Sequence, residues 1–251
     1  MNLLVKEEIT LKILSIDTAS DVCGVSILED ENLICKMDSN TGRTHSENLL
    51  PMINNALSKS SLVLKDIDLI VCDKGPGSFT GIRIGIATIK AFFDSLNINC
   101  IGITSLESLA FNLKKNIKEN ELICSLIDCK NNNCYYALYE FKNNGYSKLI
   151  MPSTDNIDNI LDILNSYNSN ITFVGDGSIN YKDVITSKIN SCQFANESDN
   201  ILNSYSLGLA GFTKYNQGIT NENVLPVYLK KPQAQIQLEN KLNNERLLNN
   251  G

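Results

Sequence analysis

Leu11-Lys12-Ile13-Leu14-Ser15-Ile16-Asp17, then Val22-Cys23-Gly24-Val25-Ser26-Ile27-Leu28, then Leu33 to Met37 are three short apolar runs. Two polar stretches, Thr18 to Asp21 and Glu29 to Asn32, separate them. Short runs rich in Ile, Leu and Val suit strands buried in a sheet. Connections this tight join antiparallel neighbours, so the stretch predicts a three-stranded meander.

Outward from the meander, Thr44-x-x-Glu47 fits a capping box at a helix start. Leu49, Leu50, Ile53, Ala56 and Leu57 then recur at helical spacing, and Pro51 inside the run predicts a kink. Ile67 to Asp73 predicts a fourth strand, Lys74-Gly75-Pro76-Gly77-Ser78 a turn, and Phe79 to Leu96 a second helix. Ile98 to Ile103 predicts a fifth strand, and Ser105 starts a third helix. The order then recurs. Glu121 to Asp128 again ends in Ile-Asp, Cys134 to Phe141 and Tyr146 to Ile150 follow as strands, and Asp155 to Tyr167 as a helix. Ile171 to Gly177 parallels the strand and glycine turn at Ile67 to Gly77. Each half predicts a mixed five-stranded sheet with helices packed on it. Two such ribonuclease H-like lobes in tandem make an α/β chain of the actin, sugar kinase and heat-shock chaperone superfamily, in which ATP sits between the lobes. The expected organisation is a leader over 1–10, an N-terminal lobe over 11–115, a C-terminal lobe over 116–230 and a polar tail over 231–251. A helix near 203–217 is a candidate to pack back on the first lobe.

Composition narrows the function. Of 251 residues, 43% are apolar and 20% charged, which excludes a disordered chain, a collagen and a coiled coil. With 22 basic and 28 acidic residues the net charge is −6, a poor balance for stand-alone binding of nucleic acid or anionic membrane. The eight cysteines include no Cys-x-x-Cys pair and sit mostly in apolar runs, which reads as reduced core thiols of a cytoplasmic protein. The one histidine, His45, cannot build a two-histidine metal site. No signal peptide is expected, and no run approaches the ~20 apolar residues of a membrane span.

The ATP site expected of this superfamily is degenerate in the sequence. Phosphates need glycine in each hairpin so that backbone N–H groups can approach them. Here the first hairpin reads Asp17-Thr18-Ala19-Ser20-Asp21 and the second Asp128-Cys129-Lys130-Asn131-Asn132-Asn133. Val174-Gly175-Asp176-Gly177-Ser178 reads equally as a remnant adenosine loop or as an ordinary strand-to-helix turn. Gly75-Pro76-Gly77-Ser78-Phe79-Thr80-Gly81 resembles a phosphate loop at a helix start but lacks the Gly-Lys-Ser/Thr ending of a P-loop. No catalytic residue, metal or cofactor is therefore expected. Two enzyme readings compete: a small-molecule kinase of the same superfamily, and a protease, which would need a nucleophile that no Gly-x-Ser-x-Gly elbow supplies.

The helix from Phe79 to Leu96 carries apolar surface in excess. Ile82, Ile86, Ile89, Phe93 and Leu96 make one stripe for the sheet. Ile84, Ala87 and Ala91 lie elsewhere, and Gly81 and Gly85 stand one turn apart. A helical glycine costs about 1 kcal/mol relative to alanine, so the pair predicts close approach by another backbone. That backbone is either a neighbouring element of the same chain or another subunit.

Ile13 to Asp17, Arg43-Thr44-His45-Ser46-Glu47 with Leu49-Leu50-Pro51, and above all Gly75-Pro76-Gly77-Ser78-Phe79-Thr80-Gly81-Ile82-Arg83-Ile84-Gly85 resemble the bacterial TsaB family, also called YeaZ. The likeness is strong over Leu11 to Leu109 and weaker from Glu121 to Leu229, where Val174 to Gly177 and Pro226-Val227-Tyr228-Leu229 are further anchors. It implies a non-catalytic scaffold in making threonylcarbamoyladenosine in tRNA. The implied partners are the transferase TsaD, bound through the first two helices, and the ATPase TsaE in the same assembly. tRNA would be reached mainly through the complex. For the chain alone, a homodimer through the exposed apolar helical face and a monomer both stay open. The docking face so implied comprises His45, Leu49, Leu50, Ile53, Thr80, Gly81, Ile84, Gly85, Ala87, Thr88 and Phe92. The chain departs from the resemblance at Asp128-Cys129-Lys130, where relatives often carry Asp-x-Arg. The tail from Lys231, with Leu238, Leu242, Leu247 and Leu248, falls outside it; a short helix and a disordered segment both stay open there.

Overall fold

The computed structural model describes residues 10–40, 44–142 and 145–230. Most of the leader, Arg43, and the tail with its leucines and Arg246 lie outside the described residues. The meander forms as expected: β1 (Lys12–Asp17), β2 (Cys23–Glu29) and β3 (Asn32–Ser39). Ile13 pairs with Leu28 and Ile16 with Val25 across the antiparallel β1–β2 ladder. β4 (Leu69–Asp73) and β5 (Asn99–Ile103) add in parallel beyond β1, which gives the order β3-β2-β1-β4-β5. The second sheet consists of β6 (Leu122–Asp128), β7 (Asn133–Lys142), β8 (Gly145–Asn156), β9 (Ile171–Val174) and β10 (Cys192–Phe194). Its order, β8-β7-β6-β9-β10, repeats the first. The recurrence read from turns and apolar runs is thus a repeat of topology.

Both sheets bury both faces of their central strands. Along β1, Leu14 and Ile16 face one way with Ile70 and Cys72 of β4, while Ile13 faces the other with Leu69 and Val71. Helices α1 (His45–Lys59) and α2 (Phe79–Leu96) cover the first of these faces with Leu49, Ile53, Ile82, Ile86 and Ile89. α1 runs on through Pro51, which lies on its exposed side. The opposite face is covered by α7 (Ser204–Asn216), which arrives from the far end of the chain with Leu207, Leu209 and Ala210. Reciprocally, α3 (Ser105–Phe111) leaves the first sheet and packs Leu106, Leu109 and Ala110 on Ile123, Ala137 and Tyr139 of the second. α3 and α7 also touch each other. This exchange of helices joins the two lobes.

Two segments differ from their sequence reading. β8 runs on past Ile150 because the long partner strand β7 carries pairing as far as Asn133 opposite Asn156. Helix α4 (Ile157–Asn165) therefore starts later, capped by the Asn156 side chain, which accepts from the Asp158 N–H at 3.0 Å. Gly175-Asp176-Gly177 opens a short helix, α5 (Asp176–Asn180), followed by α6 (Lys182–Lys188). Among the described residues no helix is long and apolar enough to cross a membrane.

α7 approaches its sheet closely because it carries glycine at 208 and 211. A Cβ on Gly211 would lie 2.8 Å from Val71 Cγ1. Beside it, Ser26 Oγ and Ser204 Oγ share a hydrogen bond of 2.7 Å, and Ser15 Oγ donates to the Ser204 carbonyl. Gly211→Val is expected to push α7 off Val71 and to lower the unfolding free energy by ~1–3 kcal/mol, read as an earlier urea midpoint.

Candidate functional site: the interlobe cleft and the face of α1 and α2

The β1–β2 turn and the β6–β7 turn face each other across a cleft of about 690 Å³. Ala19, Ser20, Asp21 and Val22 line one wall, Ile127, Asp128, Cys129 and Lys130 the other, with Asp176 and Leu202 between them. Several backbone donors of the two turns are engaged within the chain. Ala19 N–H donates to Asp17 Oδ1 at 3.0 Å and Val22 N–H to Ser20 Oγ at 3.2 Å. On the far wall Asp128 N–H donates to Asp176 Oδ1 at 3.0 Å and Lys130 N–H to Asp128 Oδ1 at 2.8 Å. Burial alone would raise the Asp128 carboxyl; hydrogen bonds from Lys130 N–H and the Asn180 amide outweigh it and hold Asp128 below the usual range. Three acidic side chains, Asp21, Asp128 and Asp176, line the cleft and disfavour a polyanion there. Among the described residues no group of three or more His, Cys, Asp and Glu side chains converges to hold a metal.

The glycine loop has a different task from phosphate binding. A Cβ on Gly77 would overlap the Ala19 carbonyl oxygen, and one on Gly81 the Thr18 carbonyl oxygen. One on Gly85 would lie 2.6 Å from Thr18 Oγ1 and 3.2 Å from Cys72 Sγ. The three glycines form one ridge at four-residue spacing, and the β1–β2 turn rests on it. Ser78 N–H donates to the Ala19 carbonyl at 2.7 Å and Thr18 Oγ1 to the Gly81 carbonyl at 2.8 Å. His45 Nε2 meets the Ser20 carbonyl at 2.7 Å and ties the same turn to α1.

The residues of the docking face expected from sequence lie at different depths in the chain. Gly81 and Gly85 are buried, and the backbone that approaches them is the chain's own turn. Leu49 and Ile53 are 1% and 2% exposed and belong to the first lobe's core. His45, Ile84, Thr88 and Phe92 are half-buried; Ile84 and Phe92 pack against that core, and Thr88 Oγ1 bonds the Ile84 carbonyl at 2.9 Å. Leu50, at 51% exposed, Thr80 and Ala87 remain open to solvent. Phe93 changes sides as well: it was assigned to the core stripe and is 36% exposed. Phe92 takes the inward role because the buried ridge of Gly81 and Gly85 rotates the core face of α2 toward that side.

Sequence reasoning did not find what flanks α2. Arg83 stacks over the Phe79 ring at 3.8 Å and donates from Nε to Tyr228 Oη at 2.9 Å, while the Phe79 and Tyr228 rings lie 4.7 Å apart. Tyr228 stood in the Pro-Val-Tyr-Leu anchor, whose sequence carries no mark of its spatial neighbour. Farther along the same C-terminal segment, Glu222 bonds Lys74 at 3.3 Å and Lys214 at 2.9 Å, and both lysines draw its carboxyl below the usual range against the effect of burial. The outer side of α2 is therefore a surface of Thr80, Arg83, Ala87, Phe93 and Tyr228, with Leu50 of α1 exposed on the neighbouring helix. Gly85→Leu is expected to lose ~1–3 kcal/mol of stability by overpacking, where an exposed helical glycine would gain up to ~1 kcal/mol. Urea denaturation measures the difference, and an unchanged or later midpoint would return Gly85 to the surface.

Residues 38–238 match the family model described as TsaD, tRNA N6-adenosine threonylcarbamoyltransferase. The match reaches eight residues beyond the expected end of the second lobe, into the tail. The tRNA threonylcarbamoyladenosine biosynthesis protein TsaB of Bacillus subtilis is 28% identical over 175 residues, which cover 70% of this chain and 75% of that relative. YeaZ from Pseudomonas aeruginosa superposes with a TM-score of 0.69 at 21% identity, over 87% of this chain and all of that one. A ROK hexokinase from Thermus thermophilus shares the fold at a TM-score of 0.53 and 8% identity, over 83% of this chain and all of that one. In span and in fold, then, the chain belongs to the TsaB (YeaZ) family, within the wider family of the threonylcarbamoyltransferase TsaD.

Proposed function

We propose that this chain serves the formation of threonylcarbamoyladenosine in tRNA as a non-catalytic subunit that supports a TsaD-type transferase. The observation that carries the reading is the state of the cleft. Four of its hairpin N–H groups are bonded to Asp17, Ser20, Asp128 and Asp176, and its acidic side chains oppose a polyphosphate. A lobe pair that keeps the fold without a free phosphate cradle is suited to hold a partner. The names of the relatives set the pathway.

The docking surface is what the monomer leaves open of the expected face, Leu50, Thr80 and Ala87, with the half-buried Ile84, Thr88 and Phe92 at its margin. His45 contributes by fixing the turn beneath it. The partner supplies the nucleotide and metal chemistry, a TsaE-type ATPase joins the assembly, and a second copy of this chain takes the same face when the partner is absent. With a net charge of −6 this subunit leaves most of the tRNA contact to the complex.

The test is a titration of the chain against a TsaD-type transferase. Leu50→Asp combined with Ala87→Arg is expected to melt as the wild type does. Truncating a hot-spot residue at the centre of an interface costs ~2 kcal/mol or more, so binding should weaken ~30-fold. Transfer to tRNA should need the transferase, and the isolated chain should transfer nothing. Full-strength binding by the double variant would move the interface elsewhere. Tight MgATP binding by the isolated chain would replace this reading with the kinase.

A further inference from the structure

Two acids end adjacent strands of the first sheet. β1 and β4 run parallel with Ile16 beside Cys72, so Asp17 and Asp73 follow at the same end of the core. Asp17 is 2% exposed and Asp73 fully buried. Asp17 Oδ1 accepts from Ala19 N–H at 3.0 Å. Asp73 Oδ1 accepts from Gly75 N–H at 2.6 Å and from Ser105 Oγ at 2.8 Å. Asp73 Oδ2 is buried and bonded to nothing. An ionised Asp73 would leave a charged oxygen unpaired in the core beside a second carboxylate. A buried charge of that kind is strongly disfavoured, and the group gives up its charge instead.

The surroundings do not restore the charge. Facing Asp17 are Lys36 and Asp38 on β3, His45 on α1 and the Cys23 thiol on β2. Facing Asp73 are Asp17, Lys74 and the Cys72 thiol. Lys36, Lys74 and His45 favour ionised acids, whereas Asp38 and the pair's mutual repulsion oppose them. Burial outweighs all of these: it pushes Asp17 up to about 6 and Asp73 well above the ordinary carboxylate range.

We propose that Asp73 is held as the neutral acid in the native chain at neutral pH, so that folding of the first lobe takes up a proton. The proton sits at the junction where three helices begin. Asp17 pins the turn on which the glycine ridge of α2 and His45 of α1 rest. Asp73 pins Gly75 at the head of the loop into α2 and Ser105 at the start of α3.

The sign follows from the direction of the shift. For an acid raised on folding, stability is complete at low pH and is lost as pH climbs from the ordinary carboxylate range to the folded value, so the share of Asp17 is lost below about 6 and that of Asp73 continues above it. Ordinary paired carboxylates give the opposite slope. The experiment is urea denaturation of the full chain from about pH 6 to about pH 7, above the folded value of Asp17 and below the range in which unfolded thiols ionise, so that Asp73 sets the slope. The wild-type folding constant should fall with rising pH, by up to tenfold per pH unit for each proton lost. Asp73→Asn should flatten that slope, while His45→Gln, which removes the single histidine, should leave it in place. A folding constant that is flat or rises with pH in the wild type, or an Asp73→Asn slope as steep as the wild type, overturns the proposal. Should Asp73→Asn fail to fold, the carboxyl carbon of Asp73 in the wild type decides by NMR. The shift of a neutral acid at neutral pH supports the proposal, and that of an ionised acid refutes it.

Discussion

The first lobe is organised around one backbone contact. Thr18 and Ala19 lay their carbonyls on a ridge of three glycines, Gly77, Gly81 and Gly85, and any Cβ on that ridge would overlap or crowd the turn. Helix α2 can reach the sheet at this depth only because the ridge is bare. The turn in turn orients α1 through His45 and receives the Ser78 N–H. The same contact engages the Ala19 carbonyl with Ser78 N–H and leaves Ser20, Asp21 and Val22 facing the cleft.

The large elements were legible because their periods are unambiguous. Alternating runs such as Leu14, Ile16, Ile70 and Cys72 bury in register, and Phe79–Leu96 forms a helix over the span read from its apolar spacing. Elements with weak patterns were not. β10 has three residues, α6 has seven, and the C-terminal half of β8 is polar, so pairing with β7 rather than its own composition makes it a strand.

The candidate site was legible in its residues but not in their direction. Two glycines one turn apart correctly signalled a close backbone. Helical spacing cannot say whether that backbone belongs to the same chain, and here it does. The same ambiguity exchanged Phe92 and Phe93: both lie near the edge of the core face, and only the depth of the glycine ridge decides which turns inward. Tyr228 pairs with Arg83 across 145 positions of sequence, a distance at which no local pattern survives.

What remains open to solvent on α1 and α2 is a modest surface over a packed core. The interlobe cleft, by contrast, is lined by donors and carboxylates already bonded to one another. In the function proposed above, the cleft serves as structure and the neighbouring helices carry recognition. Hydrogen–deuterium exchange of this chain with and without a TsaD-type transferase tests that claim most directly. The account predicts slowed exchange along α1 and α2 on addition of the transferase, with the hairpins at Ser20 and Lys130 unchanged. Protection of the two hairpins with α1 and α2 unaltered would contradict it.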